Sequence, residues 1–209
     1  MVFIVPNQLT LIRILLTPVF IWLFLHPGNN YHLAAGIVFL IGSLTDWYDG
    51  FIARRFNLIS RWGQFMDPLA DKILVSSALV VFALKDYVFW WMIIIIIFRD
   101  FLITFLRSFA LIIGKPIITT NFAKWKTFLQ MTFVFLVLIY INIPGWSDLA
   151  LSTLENPWLH WTTILVLIVV ILTVYSGIHY IIVNFVHIIE LYRRMLRLIG
   201  KRKKSDLNS

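Results

Sequence analysis

The chain contains no cysteine. Disulfides, thiolate nucleophiles and Cys-ligated metals are therefore excluded. Charge is scarce too: only 13% of the 209 residues are Asp, Glu, Lys or Arg, against ~25% in an ordinary soluble domain. Acidic groups are scarcer still, ten in all. So little polar surface cannot cover a water-soluble core. A soluble globular domain, a disordered chain and a nucleic-acid module are excluded on that ground. What the chain has in quantity is apolar, with 60% hydrophobic and 16% aromatic residues. The composition is that of a multi-pass membrane protein.

A helix needs ~20 mostly apolar residues to cross the hydrocarbon core. Six runs qualify: Leu9–Leu25, Leu33–Ala53, Gln64–Leu84, Val88–Ile113, Phe122–Ile143 and Trp158–Leu198. Backbone groups in lipid must pair within the protein, which leaves helices or closed barrels. The runs are long and do not alternate, so the expected fold is an all-α membrane protein with six transmembrane helices. It forms a single domain over residues 1–209, with a basic tail from about 199 to 209. The last run is roughly twice a span in length, so it either protrudes as one helix or breaks near Ser176–Gly177. Met1 to Leu9 holds no Lys or Arg, and no small-residue cleavage site follows. The first run is accordingly read as a retained helix.

Basic residues set the orientation. Arg54, Arg55 and Arg61 lie between the second and third runs, Lys115 lies between the fourth and fifth, and Lys124 and Lys126 stand at the start of the fifth on the same side. Arg193, Arg194, Arg197, Lys201, Arg202, Lys203 and Lys204 crowd the C-terminal end. The other side carries Lys85 with Asp86, Asp148 and Glu155. By the positive-inside rule both termini face the cytoplasm, with the C-terminal charges touching anionic headgroups rather than nucleic acid. Arg13, Lys72, Arg99 and Arg107 fall inside or near the ends of apolar runs. A charge at that depth costs ~2.5–3.5 kcal/mol on insertion scales, so each is a functional candidate, with snorkelling to the headgroups as the alternative.

Four of the ten acids fall between positions 46 and 71. Asp46 and Asp49 are spaced i,i+3, and Asp67 and Asp71 i,i+4. On helices each pair projects from one face. The short connection from Arg55 to Trp62 makes the two helices antiparallel neighbours, so four carboxylates converge just inside the cytoplasmic boundary. Packed together they repel, unless their protons return or cations compensate. Carboxylate oxygens suit hard cations, and two divalent ions would balance four carboxylates while leaving positions open for phosphate. Gly50 and Gly63 allow a ligand close to the backbone. Arg54 suits pairing with phosphate or carboxylate. A proton- or cation-conducting cluster, as in a transporter, is the competing reading, and the fixed glycines, Ala53 and Arg54 fit it poorly.

Asp46, Asp49, Gly50, Ala53, Arg54, Gly63, Asp67 and Asp71 fill every fixed position of the pattern Asp-x2-Asp-Gly-x2-Ala-Arg-x8-Gly-x3-Asp-x3-Asp. Here the sequence closely resembles the CDP-alcohol phosphatidyltransferase family. The resemblance implies a bilayer enzyme, usually a homodimer, that uses Mg²⁺ or Mn²⁺, two ions by the charge count above. It displaces CMP from a CDP-linked lipid with an alcohol. It implies Asp46, Asp49, Asp67 and Asp71 as metal ligands and Asp71 as the base. It places the CDP moiety on Gly50, Arg54 and Ser60, with Gly63 beside them, and brings Asn7 and Thr10 of the opening segment to the nucleotide.

Several stretches look like the subgroup that takes CDP-diacylglycerol and sn-glycerol 3-phosphate. They are Pro6 to Arg13, Arg99 to Arg107, Lys124-Trp-Lys126-Thr127 with Gln130-Met131, and Tyr175-Ser-Gly177. Asp100 stands where that subgroup often has glutamate, and Ala123 where glycine often precedes Lys-x-Lys-Thr. A phosphorylated acceptor is a dianion that must rest beside carboxylates. Arg99, Arg107, Lys124 and Lys126 are the expected counter-charges, guanidinium forks gripping phosphate and lysines acting as point charges. Serine, inositol phosphate or phosphatidylglycerol as acceptor are the alternatives. The location implied is a bacterial plasma membrane, with the site on the cytoplasmic face.

Overall fold

The computed structural model describes residues 5–56, 61–112, 121–143 and 156–185. Among them the chain is all-helical, with no strand: α1 Val5–Leu25, α2 Asn29–Phe56, α3 Arg61–Leu84, α4 Trp90–Ile112, α5 Asn121–Ile141 and α6 Trp161–Val183. A single 3-10 turn, Pro157–Leu159, leads into α6. Each expected apolar run becomes one helix. By length and composition, α6 is the described helix that is long and apolar enough to cross a bilayer by itself. Elsewhere the apolar stretches are shorter, Leu11–Leu25, Asn30–Thr45, Lys72–Leu84 and Trp125–Ile141.

Turn chemistry sets the helix ends. Gly28 has φ +125°, and its carbonyl accepts the Tyr31 and His32 amides, so α2 begins ahead of the run that hydropathy marks. After α3, Asp86 takes φ 59°. The Tyr87 amide reaches the Phe82 carbonyl and the Asp86 amide the Ala83 carbonyl, a Schellman stop with aspartate where glycine is usual. The break considered at Ser176–Gly177 does not occur, because α6 runs unbroken through both. Gly177 serves packing instead: a Cβ there would lie 3.3 Å from Arg99 Cγ. Residues of the last run beyond Phe185 lie outside the described residues.

Contacts at the helix ends fix the directions. Phe24 packs on Phe82 with ring centroids 5.5 Å apart, which joins the ends of α1 and α3. Tyr140 meets Trp161 at 5.0 Å, and the Thr162 hydroxyl donates to the Tyr87 carbonyl. So α1, α3 and α5 run one way and α2, α4 and α6 the other. The outer ends of α1 and α6 then fall at one end of the bundle.

The core is aromatic on the α1, α2, α3 and α5 side. Phe20, Phe24, Phe39, Phe82 and Phe133 are buried and touch in a chain of tilted and edge-on rings. Such geometries suit the ring quadrupole. The outside is apolar as well, with Phe98, Leu11, Ile94 and Ile182 exposed. α1 packs against both α2 and α3, and α2 and α3 meet at few of the described residues.

Candidate active site

Helix register places the acids. Asp46 and Asp49 lie in α2, and Asp67 and Asp71 in α3. The side chains of these four lie outside the described residues, as do those of Asn7, Thr10, Arg54 and Lys124 and the surroundings of Gly50 and Gly63. Ser60 lies outside them altogether. Where α2 and α3 cross, a Cβ on Gly42 would sit 2.7 Å from Leu74 Cδ2. Glycine lets the two backbones close there. Positions 46 and 49 follow Gly42 by four and seven residues, and positions 71 and 67 precede Leu74 by three and seven. At about 3.6 residues per turn these intervals return to the same helix face. With the helices antiparallel, all four positions fall on one side of the crossing, toward the 57–60 connection. The described contact nearest to these four positions is that of Gly42 with Leu74.

The basic side of the site is described in side-chain detail. Asp100, on α4, is buried, and Lys126 of α5 is buried against it, its Nζ 2.5 Å from both carboxylate oxygens. Arg99 Nη1 donates to Asp100 Oδ1 at 3.2 Å, and Arg99 Nη2 donates to Ser176 Oγ of α6 at 2.8 Å. Lys72 Nζ of α3 stands 3.9 Å from Asp100 Oδ2. Among the described side chains, one buried carboxylate therefore gathers cations from three helices, with a formal excess of two positive charges. A buried excess of charge needs an anion or water to balance it. Lys72 directly follows Asp71, so this ion cluster is tied to the acid-bearing turn of α3.

Several buried polar atoms around the cluster have no hydrogen-bond partner: Gln130 Oε1, Thr173 Oγ1, Arg99 Nε and the Tyr180 hydroxyl. Gln130 stands one turn beyond Lys126. Thr173 and Tyr180 flank Ser176 on α6. Buried polar groups are nearly always satisfied, and a group of exceptions marks a place where something polar binds.

Of the expected acceptor residues, Arg99 and Lys126 come together around Asp100, and Arg107 lies two turns along α4 with its side chain exposed. Arg13 is buried inside the bundle, which corrects the snorkelling reading. Sequence reasoning missed Asp100 as the hub and Lys72 as its third cation. The signal was present, since a lone acid inside an apolar helix needs a cationic partner. Ser176 and Tyr180 gave no such signal, being ordinary residues in the most apolar helix.

A helical bundle that carries two acid pairs on adjacent helices and buries a cationic cluster around Asp100 has the makings of a phosphate-handling protein. The family model described as CDP-alcohol phosphatidyltransferase matches residues 3–175, and the chain belongs to that family. It is 40% identical over 164 residues to the CDP-diacylglycerol–glycerol-3-phosphate 3-phosphatidyltransferase of Bacillus subtilis, covering 70% of this chain and 84% of that one. The Escherichia coli K12 protein of the same name is 38% identical over 136 residues, covering 63% of this chain and 74% of its own. That of Rickettsia typhi is 35% identical over 148 residues, covering 67% and 83%.

Proposed function

We propose that the protein transfers the phosphatidyl group from CDP-diacylglycerol to sn-glycerol 3-phosphate, giving phosphatidylglycerophosphate and CMP. The observation that carries this reading is the Lys72 to Asp100 contact. It ties the cations gathered on Asp100 to the turn of α3 that carries Asp71, which supports neighbouring places for cation-bound diphosphate and acceptor phosphate. A nucleotide diphosphate and a phosphorylated alcohol thereby have adjoining places of opposite design. The relatives' shared name supplies the acceptor.

Among the described residues no three His, Asp or Glu side chains gather. The cation site rests on Asp46, Asp49, Asp67 and Asp71, whose all-oxygen donor set and facing helix positions fit Mg²⁺ or Mn²⁺. Two such ions, when bound, supply charge neutralisation for the diphosphate and the departing CMP. Arg54, Gly50, Gly63 and Ser60, with Asn7 and Thr10, hold the CDP portion. Arg99 and Lys126 hold the acceptor phosphate, with Arg107 and Lys124 toward its entrance. Asp71 takes the proton from the acceptor's 1-hydroxyl, and that oxygen attacks the lipid-bearing phosphorus. The attack forms the new O–P bond as the bond to CMP breaks. No covalent enzyme intermediate is needed.

The apolar outer surface supports a bilayer setting in which the acyl chains stay in lipid. The basic loops support a cytoplasmic site in the bacterial inner membrane. A homodimer follows from the family resemblance. The test is CMP release from CDP-diacylglycerol across a panel of alcohols. Glycerol 3-phosphate should be the preferred acceptor, and serine, inositol phosphate or phosphatidylglycerol in its place would redirect the assignment. Asp71→Asn should lower turnover by roughly 10²–10⁴-fold, the range for loss of a general base, with CDP-lipid binding kept. Near-normal turnover in that variant would remove the base assignment.

A further inference from the structure

Tyr180 sits one turn after Ser176 on α6 and is buried, at 1% exposure. Its hydroxyl has no hydrogen-bond partner. The residue lies past the end of the family match, which stops at 175. It belongs to no motif, and no role in the reaction has been given to it above.

Three observations say what the hydroxyl faces. Ser176, Gly177 and Tyr180 are spaced to share one face of α6. The first two meet Arg99, Ser176 through a 2.8 Å hydrogen bond and Gly177 through close approach to Cγ and Nε. Tyr180 is itself buried, one turn beyond the Ser176 that holds Arg99. Beside it, Arg99 Nε is a second buried donor without an acceptor. A guanidinium offers only donors, so Tyr180 has nothing to give its proton to in that direction. Two idle donors with surplus positive charge behind them define a place for an oxyanion. A residue kept only for packing would be better as phenylalanine, because burying an unpaired hydroxyl is unfavourable.

We infer that Tyr180 is a substrate-binding residue whose hydroxyl donates a hydrogen bond to a phosphate oxygen of the acceptor, alongside Arg99. This rests on the proposed reaction and adds a residue to its acceptor pocket. Tyr180 binds and moves no proton, so its loss weakens acceptor binding and leaves the chemical step intact.

Tyr180→Phe is the test, read on purified protein in lipid or detergent. Removing a hydrogen bond to a charged group should raise KM for glycerol 3-phosphate about tenfold or more. The kcat and the KM for CDP-diacylglycerol should stay within about twofold, since neither depends on this bond. Inorganic phosphate as a competitor should weaken by the same factor as the acceptor. Thermal stability should hold or rise, because an unpaired buried hydroxyl has gone. An unchanged acceptor KM, or an equal rise in both KM values, would overturn the inference. If the wild-type protein itself releases no CMP with glycerol 3-phosphate, the proposed reaction fails first. Calorimetry with inorganic phosphate on wild type and Tyr180→Phe then still judges Tyr180, equal affinities overturning its role and weaker binding by the variant supporting it.

Discussion

Two regions of this bundle are buried in opposite ways. On the α1, α2, α3 and α5 side, Phe20, Phe24, Phe39, Phe82 and Phe133 close a core of rings. On the α3, α4, α5 and α6 side the interior holds Lys72, Arg99, Asp100, Lys126 and Ser176. The ring core is apolar throughout. The ion cluster has surplus charge and idle donors. Packed apolar groups need nothing further, whereas a buried charge excess is stable only with a counter-ion. One half of the bundle is thus finished as it stands, and the other is finished by its ligand.

The sharpest way to break this comparison is a double-mutant cycle at the ion pair. Asp100→Leu strands the buried Lys126 ammonium and should cost ~3–5 kcal/mol. Adding Lys126→Met should recover most of that loss, since apolar pairs often replace buried ion pairs at little cost. Chemical unfolding in detergent measures both. If the second substitution rescues nothing, the cluster is not a self-contained ionic unit. The double variant should nevertheless lose affinity for glycerol 3-phosphate, separating stability from use.

The ring core should respond without any such compensation. Phe82→Ala should cost ~3–5 kcal/mol by leaving a cavity. Activity per folded molecule should stay near wild type, because Phe82 touches no charged group of the site. A specific-activity loss matching the loss at the ion cluster would erase the distinction between the regions. The smallest effect belongs to the turn between α3 and α4. Asp86→Gly relieves a left-handed residue, against a gain in unfolded-chain entropy, and should shift stability by less than ~1 kcal/mol. Turnover should not change, as the turn lies at the far end of the bundle.

Much of this was legible in the chain. The six helices follow from runs whose only plausible hydrogen-bond partners are their own backbones. The acid quartet follows from spacing, since three- and four-residue intervals return to one helix face. Helix ends were less legible, because Gly28 and Asp86 set them through backbone angles that hydropathy does not report. Partner choice between helices was least legible. The short loop after α2 makes α2 and α3 antiparallel neighbours, but it does not report that α1 packs against both or that Gly42 meets Leu74.

The sequence alone determined the helical class, the pairing of aspartates on two helix faces, and the list of cations available for phosphate. These are local properties, read from neighbours along one chain. Only the tertiary structure decided that Asp100 is the hub joining Lys72, Arg99 and Lys126, and that Ser176 and Gly177 of α6 pack on Arg99. Those partners come from separate helices, as far apart in the chain as Arg99 and Ser176. Which side chains meet across such distances depends on how apolar faces pack, and no interval along the chain encodes that.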